Sequence, residues 1–412
     1  MSILKKFSVT SLWGEKDLTL NFHDDVNFLI GTNGSGKTTV INLIAAALSA
    51  DFQTLDRVDF KKVEMHLSAP HNPVIEVLKK AERKSPFLGI TYRYKPRRDA
   101  DWKEFSLDEI ESQMVYREWS RAIHSRRIPD PIEVLGIQVK LTWLSIHRAG
   151  PGRPREDRSF ESTIDIKLDQ LNNALTRLFS QFKNKGDEQT ARFQKSLFFA
   201  LLPPEDWQLK ASVKSLDLEK ERQALKEIFE NFGVPRDSYL GAVEEQFQRV
   251  KGAVEKTTFT DADLTSLSAM WSIHRVVQEW AELRARQAEI NKPREDFLAV
   301  INEMFSRKRL TINERNELKA EMEGERSIAL NELLSGEKQL IIILGEALLQ
   351  QKASWIYIAD EPELSLHVTW QEKLTANLRQ INPSAQIIFA THSPDIVGRF
   401  ENRVFDMEKL LR

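Results

Sequence analysis

The chain has 412 residues, 41% hydrophobic and 29% charged, which is too long for one simple domain and ample for a large core. With 59 Lys and Arg against 61 Asp and Glu the formal net charge is −2, so no global positive field draws it to nucleic acid or anionic lipid and any such contact must be local. Zero cysteines exclude a disulfide framework, a thiol nucleophile and a thiolate zinc site, and fit a reducing compartment.

The N-terminus, MSILKKF, meets polar residues before any apolar stretch long enough for a signal peptide. The most apolar run, Leu340 to Leu349, contains Glu346 and is about half the ~20 residues of a spanning helix. These readings predict a soluble, cytoplasmic protein with no membrane contact.

In chain order, Leu4 to Thr10 and Asp17 to Phe22 alternate apolar and polar as strands do, and Val26 to Ile30 is a short apolar run of the buried-strand kind. Then comes Gly31-Thr32-Asn33-Gly34-Ser35-Gly36-Lys37-Thr38, which fits the phosphate-loop pattern of glycine, four residues, then Gly-Lys-Ser/Thr, followed by an apolar helix, Val40 to Leu48. Glycines let backbone N–H groups turn inward onto phosphate oxygens, and the helix N-terminus adds partial positive charge. The pattern assigns Asn33, Gly34, Ser35, Gly36, Lys37, Thr38 and Thr39 to ATP, with Lys37 reaching the β- and γ-phosphates and the Thr38 hydroxyl ligating Mg²⁺.

Strand-like runs follow at Val58 to Leu67, Leu88 to Tyr94 and Ile137 to Ile146, with an Arg-rich helix near Tyr116 to Arg127 between them. The stretch AGPGRPREDRSF, Ala149 to Phe160, cannot sit inside an element and marks a domain boundary. Beyond it Leu168, Leu171, Leu175, Leu178 and Phe182 recur at spacings of 3, 4, 3 and 4, a helical stripe. Helical stretches end at Pro203-Pro204 and at Gly233-Val234-Pro235. Another carries Met270, Ile273, Val277, Trp280 and Leu283 on one face until Pro293 opens a new helix. Trp207, Trp271 and Trp280 read as core residues. Residues 161–304 are thus expected to form a helical insertion, seat of partner or oligomer contacts, between head segments 1–160 and 305–412.

Strand texture returns at Arg309 to Asn313, Glu317 to Met322 and Ser327 to Leu330. Leu334-Ser335-Gly336-Glu337 then leads into an apolar helix, the strand Trp355 to Ala359, a helix from Val368 to Leu378, and a last strand, Gln386 to Ala390. The run Trp355 to Glu361 is a buried-strand pattern ending in two acids, an arrangement in which one carboxylate holds Mg²⁺ and the next orients and deprotonates water. Asp360 is assigned to the metal and Glu361 to the water.

With these motifs in place the chain resembles the ATP-binding-cassette ATPases, in the soluble branch that includes SMC, Rad50, RecF and OLD-type proteins. LSGEKQ at 334–339 looks like the signature, DEPELSLH at 360–367 like the Walker B and D-loop, and ATHSP at 390–394 like the switch-histidine loop. The resemblance covers about 1–150 and 308–412. It implies an α/β head, with a phosphate-loop sheet and an antiparallel β layer, interrupted by the helical lobe. It also implies a head-to-head homodimer or higher oligomer with two ATPs sandwiched between subunits. In it Ser335, Gly336 and Glu337 would act on the neighbour's nucleotide, and His392 would contact the γ-phosphate. The Q-loop falls at Gln53 or at the strand end Trp143 to Arg148, and Phe7 and Trp13 are candidates for the adenine contact.

The insertion is too short and too often broken for the long coiled coil of the SMC and Rad50 branches. Only 20 residues follow His392, so the TOPRIM nuclease domain of OLD-type proteins is not expected here. The design resembles the ATPase subunits of bacterial anti-phage systems, such as the PtuA proteins of Septu and retron systems or the PARIS AriA protein. That likeness implies a separate effector nuclease of HNH or TOPRIM type, with nucleic acid or a phage protein as trigger. The alternative is a RecF-like ATPase that binds DNA in an ATP-dependent way; the clusters Arg93, Lys95, Arg97, Arg98 and Arg121, Arg126, Arg127, with Arg153, Arg155 and Arg158, are of a kind that grips phosphates or an acidic protein. A transporter's nucleotide-binding subunit is disfavoured by the long insertion and by DEPELSLH.

Overall fold

A computed structural model describes residues 3–68, 71–81, 88–97, 99–106, 139–144, 163–200, 215–322 and 327–411. The chain divides into two compact units, one of residues 1–176 with 296–412 and one of residues 177–295.

The first unit is built on two sheets. Strands β1 (Leu4–Leu12), β2 (Lys16–Asn21), β4 (Lys62–Leu67), β5 (Val74–Ala81), β6 (Leu88–Lys95) and β7 (Lys103–Ser106) form an antiparallel layer in the order β2-β1-β4-β5-β6-β7. Their residues alternate between a buried and a solvated face, as in β4 with Val63, Met65 and Leu67 inward. Strands β3 (Val26–Ile30), β8 (Leu141–Leu144), β12 (Trp355–Asp360), β13 (Ala385–Ala390) and β14 (Val404–Asp406) form a wholly parallel sheet in the order β14-β3-β13-β12-β8. Strand β13 is buried along its whole length, which is why these strands read as apolar runs without alternation.

Helix α1 (Lys37–Ser49) packs with both sheets into one core. Ile41, Ile44 and Leu48 share a cluster with Val63, Met65 and Val77 of the antiparallel layer and with Ile356, Ile358 and Ile388 of the parallel sheet. A helix so enclosed must be apolar all round, and Val40-Ile41-Asn42-Leu43-Ile44-Ala45-Ala46-Ala47-Leu48 is nearly that. The buried Tyr92 hydroxyl donates to the Ala46 and Ala47 carbonyls (3.3 and 3.0 Å). The Gln386 side chain ties the sheets together again, accepting from Leu4 N–H (2.8 Å) and donating to the Leu4 and His23 carbonyls (both 2.8 Å).

Strands β4, β5, β7 and β14 differ from expectation. The run Val58 to Leu67 becomes a strand only from Lys62, because α2 (Phe52–Arg57) precedes it. Asp51 caps the start of α2, accepting from Thr54 N–H (3.3 Å). Its C-terminal carbonyls are taken by Lys79 Nζ, which donates to Leu55, Asp56 and Val58 at 3.3, 2.6 and 2.9 Å. That inward lysine breaks the apolar alternation of β5, which the sequence therefore hid. Strand β14, too short for a periodic signal, adds a parallel neighbour to β3 beyond the strand expected to be last, and α10 (Met407–Leu410) follows it.

A three-stranded antiparallel sheet, β9 (Lys308–Ile312), β10 (Leu318–Met322) and β11 (Ser327–Ile328), lies where strand texture returned. Helix α7 (Ser335–Leu349) is almost entirely buried, and α8 (Val368–Ile381) and α9 (Pro394–Val397) complete the unit.

The long helices are α3 (Thr163–Ala200), α4 (Leu218–Asn231), α5 (Arg236–Glu255) and α6 (Asp261–Met304). The stripe Leu168 to Phe182 is buried on α3. The helical unit begins later and ends earlier than the expected 161–304, because the ends of α3 and α6 pack in the first unit. Asn172 Oδ1 accepts from Leu318 N–H (3.2 Å), Lys338 pairs with Asp165 (2.6 Å), and the Asn302 amide brackets Leu310. Pro293 does not open a new helix: α6 runs through it. Proline removes one backbone donor, and the apolar face continues past it in Phe297, Val300 and Ile301, all buried.

Within 177–295, one core gathers Val243, Phe247, Val250, Leu267 and Met270, and another Phe193, Ile228, Val277, Trp280 and Leu283. Trp280 is thus a core residue; Trp271 is half-buried, and Trp207 lies outside the described residues. The Arg-rich segment 116–127 and the loop 149–160 lie outside them too. No helix among the described residues is long and apolar enough to cross a membrane.

Candidate active site

The loop after β3 is shaped by glycines. Gly34 and Gly36 have φ of 83° and 90°, in the left-handed region that side chains avoid. At Gly36 a Cβ would also lie 2.6 Å from the Trp13 ring and 3.0 Å from Leu411. Helix α1 begins at once, so the first-turn amides of Lys37, Thr38 and Thr39 have no carbonyl four residues back and stay free to hold an anion.

Lys37 reaches back along the loop, its Nζ donating to the Gly31 and Thr32 carbonyls (2.9 and 3.0 Å). Burial pushes its ammonium below the ordinary lysine range, against the pull of Glu361, Asp360, Glu363 and Glu408. The loop is braced from the far end of the chain, where Glu408 accepts from Thr32 N–H (2.8 Å).

Strand β12 ends where the loop begins to matter. The Thr38 hydroxyl lies 3.2 Å from Asp360 Oδ1. Glu361 takes a left-handed backbone (φ 47°), and its N–H donates to the Ala390 carbonyl of β13 (2.8 Å). A non-glycine residue held there costs about 1–3 kcal/mol, and the turn brings the Glu361 carboxylate within 3.7 Å of His392 Nε2.

A cavity of about 220 Å³ is lined by Trp13, Asn33, Gly34, Gly36, Lys37, Thr38, Thr39, Glu361 and His392. Ser35 and Asp360 stand behind this lining, Ser35 through its bonds within the loop and Asp360 through Thr38. Free amides, an ammonium, and a hydroxyl beside a carboxylate are the donor set that a magnesium nucleotide requires, since Mg²⁺ is usually held by one or two carboxylates plus phosphate oxygens. The residues fit that group.

Of the two candidates for the adenine, Phe7 is fully buried in the β-layer core and cannot meet a base, whereas Trp13 is 43% exposed and lines the cavity. Gln53 lies in α2; of the strand-end candidate, Trp143 and Leu144 lie in β8 and the rest falls outside the described residues.

Ser335, Gly336 and Glu337 do not line the cavity. Ser335 is exposed at the first turn of α7, and Gly336 packs so closely that a Cβ would meet the Ser365 carbonyl oxygen at 2.3 Å. Glu337 departs from its expected outward role. Its carboxylate turns back to accept from Leu334 N–H (2.8 Å) and pairs with Lys308 (2.7 Å), because the start of a helix needs its free amides satisfied. Leu334, which precedes Ser335, and Leu364 and Val368, which flank in sequence the Ser365 that packs on Gly336, are exposed.

Sequence reasoning missed Glu363, which bonds the 391–393 turn, and Glu408. Nothing in their local spacing announces either, since their partners lie 28 to 30 and 376 positions away. Of the basic clusters, Arg93 is committed to Glu76 and Glu104 (both 3.4 Å) and lies over the Trp102 ring with Lys95. Arg98, Arg121, Arg126, Arg127, Arg153, Arg155 and Arg158 are outside the described residues.

Among solved structures, the chain is similar to an Smc head domain with an extended coiled coil bound to the C-terminal domain of ScpA, from Pyrococcus furiosus. Identity is 12% over 96% of this chain and 91% of that one, with a TM-score of 0.40. It is also similar to an SmcHead bound to the C-winged helix domain of ScpA (12% identity, 95% and 91% covered, TM-score 0.42) and to an Smc head domain with a coiled coil and joint from Pyrococcus yayanosii (12%, 96% and 93%, 0.40). The family described as "AAA domain, putative AbiEii toxin, Type IV TA system" matches residues 26–398, from the strand before the phosphate loop to beyond the 391–393 turn. The chain belongs to this family of AAA-domain ATPases.

Proposed function

We propose that the chain binds ATP with Mg²⁺ in the 220 Å³ cavity and hydrolyses it to ADP and phosphate. The observation that carries this is convergence: Lys37 and Thr38 from one end of the chain meet Asp360, Glu361 and His392 from the other. The amides of the loop and of the first turn of α1 cradle the phosphates, with Lys37 on the β- and γ-groups. Thr38 and Asp360 would hold Mg²⁺, which when bound would neutralise charge on the phosphate oxygens. Glu361 takes a proton from the attacking water as its oxygen bonds to the γ-phosphorus and the bond to the β–γ bridging oxygen breaks. His392, beside Glu361, donates to a γ-phosphate oxygen, and Trp13 stacks on the base.

The second half of the site comes, in this proposal, from another copy. Ser335 and Gly336 present the free amides and dipole of the α7 N-terminus away from their own cavity, where they would grip a neighbour's γ-phosphate. The exposed Leu334, Leu364 and Val368 supply the apolar contact of a homodimer of heads. Glu337 then serves its own helix cap.

We assign the ATPase to bacterial anti-phage defence, as a homo-oligomeric scaffold that restrains a separate effector nuclease of HNH or TOPRIM type until a phage protein or nucleic acid triggers it. The family description, which names a toxin of a toxin–antitoxin system, supports a defence role.

The test is turnover and assembly. Lys37→Ala should weaken ATP binding by at least about 100-fold, and Glu361→Gln should bind normally, lose about 99% of turnover and accumulate as an ATP-bound dimer by light scattering. Wild-type turnover in Glu361→Gln would sink the water assignment. Purification from the native operon with ATP should bring a stoichiometric nuclease, and recovery of the chain alone counts against the scaffold role.

A further inference from the structure

We infer that Glu363 is a positioning residue: its buried carboxylate sets the 391–393 turn and, through it, the place of the His392 ring opposite Glu361. The inference rests on the proposed reading of the cavity as a site of ATP hydrolysis.

Strands β12 and β13 run in register to the pair Asp360 and Ala390, and Glu361 N–H still bonds the Ala390 carbonyl. Beyond that point the two chains separate, and no ladder fixes one turn against the other. Glu363 spans the gap. Its Oε1 accepts three bonds from the opposite turn: from the Thr391 hydroxyl at 2.6 Å, from His392 N–H at 2.8 Å and from Ser393 N–H at 3.3 Å. The side chain is nine-tenths buried, and no cation lies within ion-pair distance of it among the described residues. An ionised oxygen holds donors about twice as strongly as a neutral one, so three dipoles aimed at one carboxylate oxygen make a stiff joint.

A second strut shares the arrangement. Gln371 of α8 donates to the Leu366 carbonyl (2.9 Å) in the Glu363 turn, and its Oε1 accepts from the Ser393 hydroxyl (2.6 Å) in the other. Both turns are therefore referenced to α8. Glu363 Oε2 is buried with no partner among the described residues, so the hydrogen bonds of this carboxylate all go through Oε1 to the opposite turn. What the carboxylate achieves is local: the backbone N–H of His392 is fixed, and with it the origin of a ring whose Nε2 stands 3.7 Å from Glu361.

The test uses the full chain. Glu363→Gln keeps the shape but removes the charge, and should lower kcat about 10-fold with KM for MgATP changed less than about 2-fold. His392→Ala should lower kcat about 100-fold, and adding Glu363→Gln to it should cost less than a further 2-fold, because the residue it positions is gone. Thr391→Val should reproduce Glu363→Gln, and Thr391→Ser, which keeps the hydroxyl, should restore most of the rate. If Glu363→Gln melts early and cannot be assayed, the Thr391 pair decides alone. Wild-type kcat in Glu363→Gln, losses that multiply in the double variant, or equal impairment by Val and Ser at 391 would each overturn the positioning role. Hydrolysis by the wild type no greater than by Lys37→Ala would instead overturn the reading of the cavity itself.

Discussion

Adding one methyl group at each of three helical glycines should produce three different outcomes. At Gly336 the Cβ would lie 2.3 Å from the Ser365 carbonyl oxygen and 3.3 Å from its carbon, both backbone atoms. Neither side can yield. Helix α7 is locked by Leu340 to Leu344, all 0–1% exposed, and the 361–366 turn is held by Leu364 N–H to the Glu361 carbonyl (3.2 Å) and Leu366 N–H to the Glu363 carbonyl (2.9 Å). Overpacking costs about 1–3 kcal/mol, and a clash with backbone belongs at the top of that range. At Gly345 the same methyl would meet Leu171 Cδ2 at 2.7 Å, Cδ1 at 3.1 Å and Cγ at 3.3 Å, side-chain atoms that yield more readily than backbone. The gain of about 1 kcal/mol for alanine over glycine in a helix interior offsets most of that cost. At Gly241, in α5, nothing lies within 4 Å, so Gly241→Ala should stabilise its unit by about 0.5–1 kcal/mol. Thermal unfolding followed by circular dichroism reads the series. Gly336→Ala should drop the melting temperature of the first unit by roughly 3–5 °C, Gly345→Ala should leave it nearly unchanged, and Gly241→Ala should raise that of the helical unit. A Gly336→Ala protein as stable as wild type, or one less damaged than Gly345→Ala, would refute the claim that a fixed backbone contact explains the glycine.

Two further outcomes follow from side chains. Trp13→Ala should weaken nucleotide binding by about 1–3 kcal/mol, the usual worth of a base–aromatic stack, and Trp13→Phe should recover most of it; equal affinity for all three by fluorescence titration would remove Trp13 from the site. In the helical unit the Lys256 ammonium and the Thr260 N–H and hydroxyl hold the Asp263 carboxyl down at about 2. Because its folded value lies below the ordinary 3.8, its contribution is complete above pH 3.8 and disappears as pH falls toward 2. Asp263→Ala should therefore lower the urea midpoint at pH 7 by clearly more than it does near pH 2, and a gap as large in acid as at pH 7 would contradict the assignment.

The parts legible in the sequence were those whose physics is local. Gly34, Gly36 and Lys37 need a fixed spacing to wrap a phosphate, and the strands ending at Asp360 and Ala390 are apolar because both their faces are covered. What stayed hidden depends on distant partners. Strand β5 carries an inward lysine because α2 needs its carbonyls capped, and Pro293 sits inside a helix whose apolar face resumes beyond it. Glu337 read as a signature residue acting on a neighbour's nucleotide, and its bonds to Leu334 N–H and Lys308 are not visible in the motif. Phe7 and Trp13 were equivalent by position in the chain, and only packing separates a core residue from a cavity wall.

The strand order also sets a schedule for synthesis. Strand β3 emerges early, yet its neighbours in the finished sheet are β13 and β14, so both its edges stay open until residue 390 and beyond have left the ribosome. At about 5–20 residues per second, the roughly 360 intervening residues take on the order of 20–70 s. During that wait α1, with Ile41, Ile44 and Leu48, lacks Ile356, Ile358 and Ile388, its cluster partners from the parallel sheet. The helical segment can meanwhile collapse around its own clusters, whose contacts are closer in sequence. Both edges of nascent β3 therefore stay uncovered through this interval, and slow codons placed between β3 and β13 would lengthen the exposure.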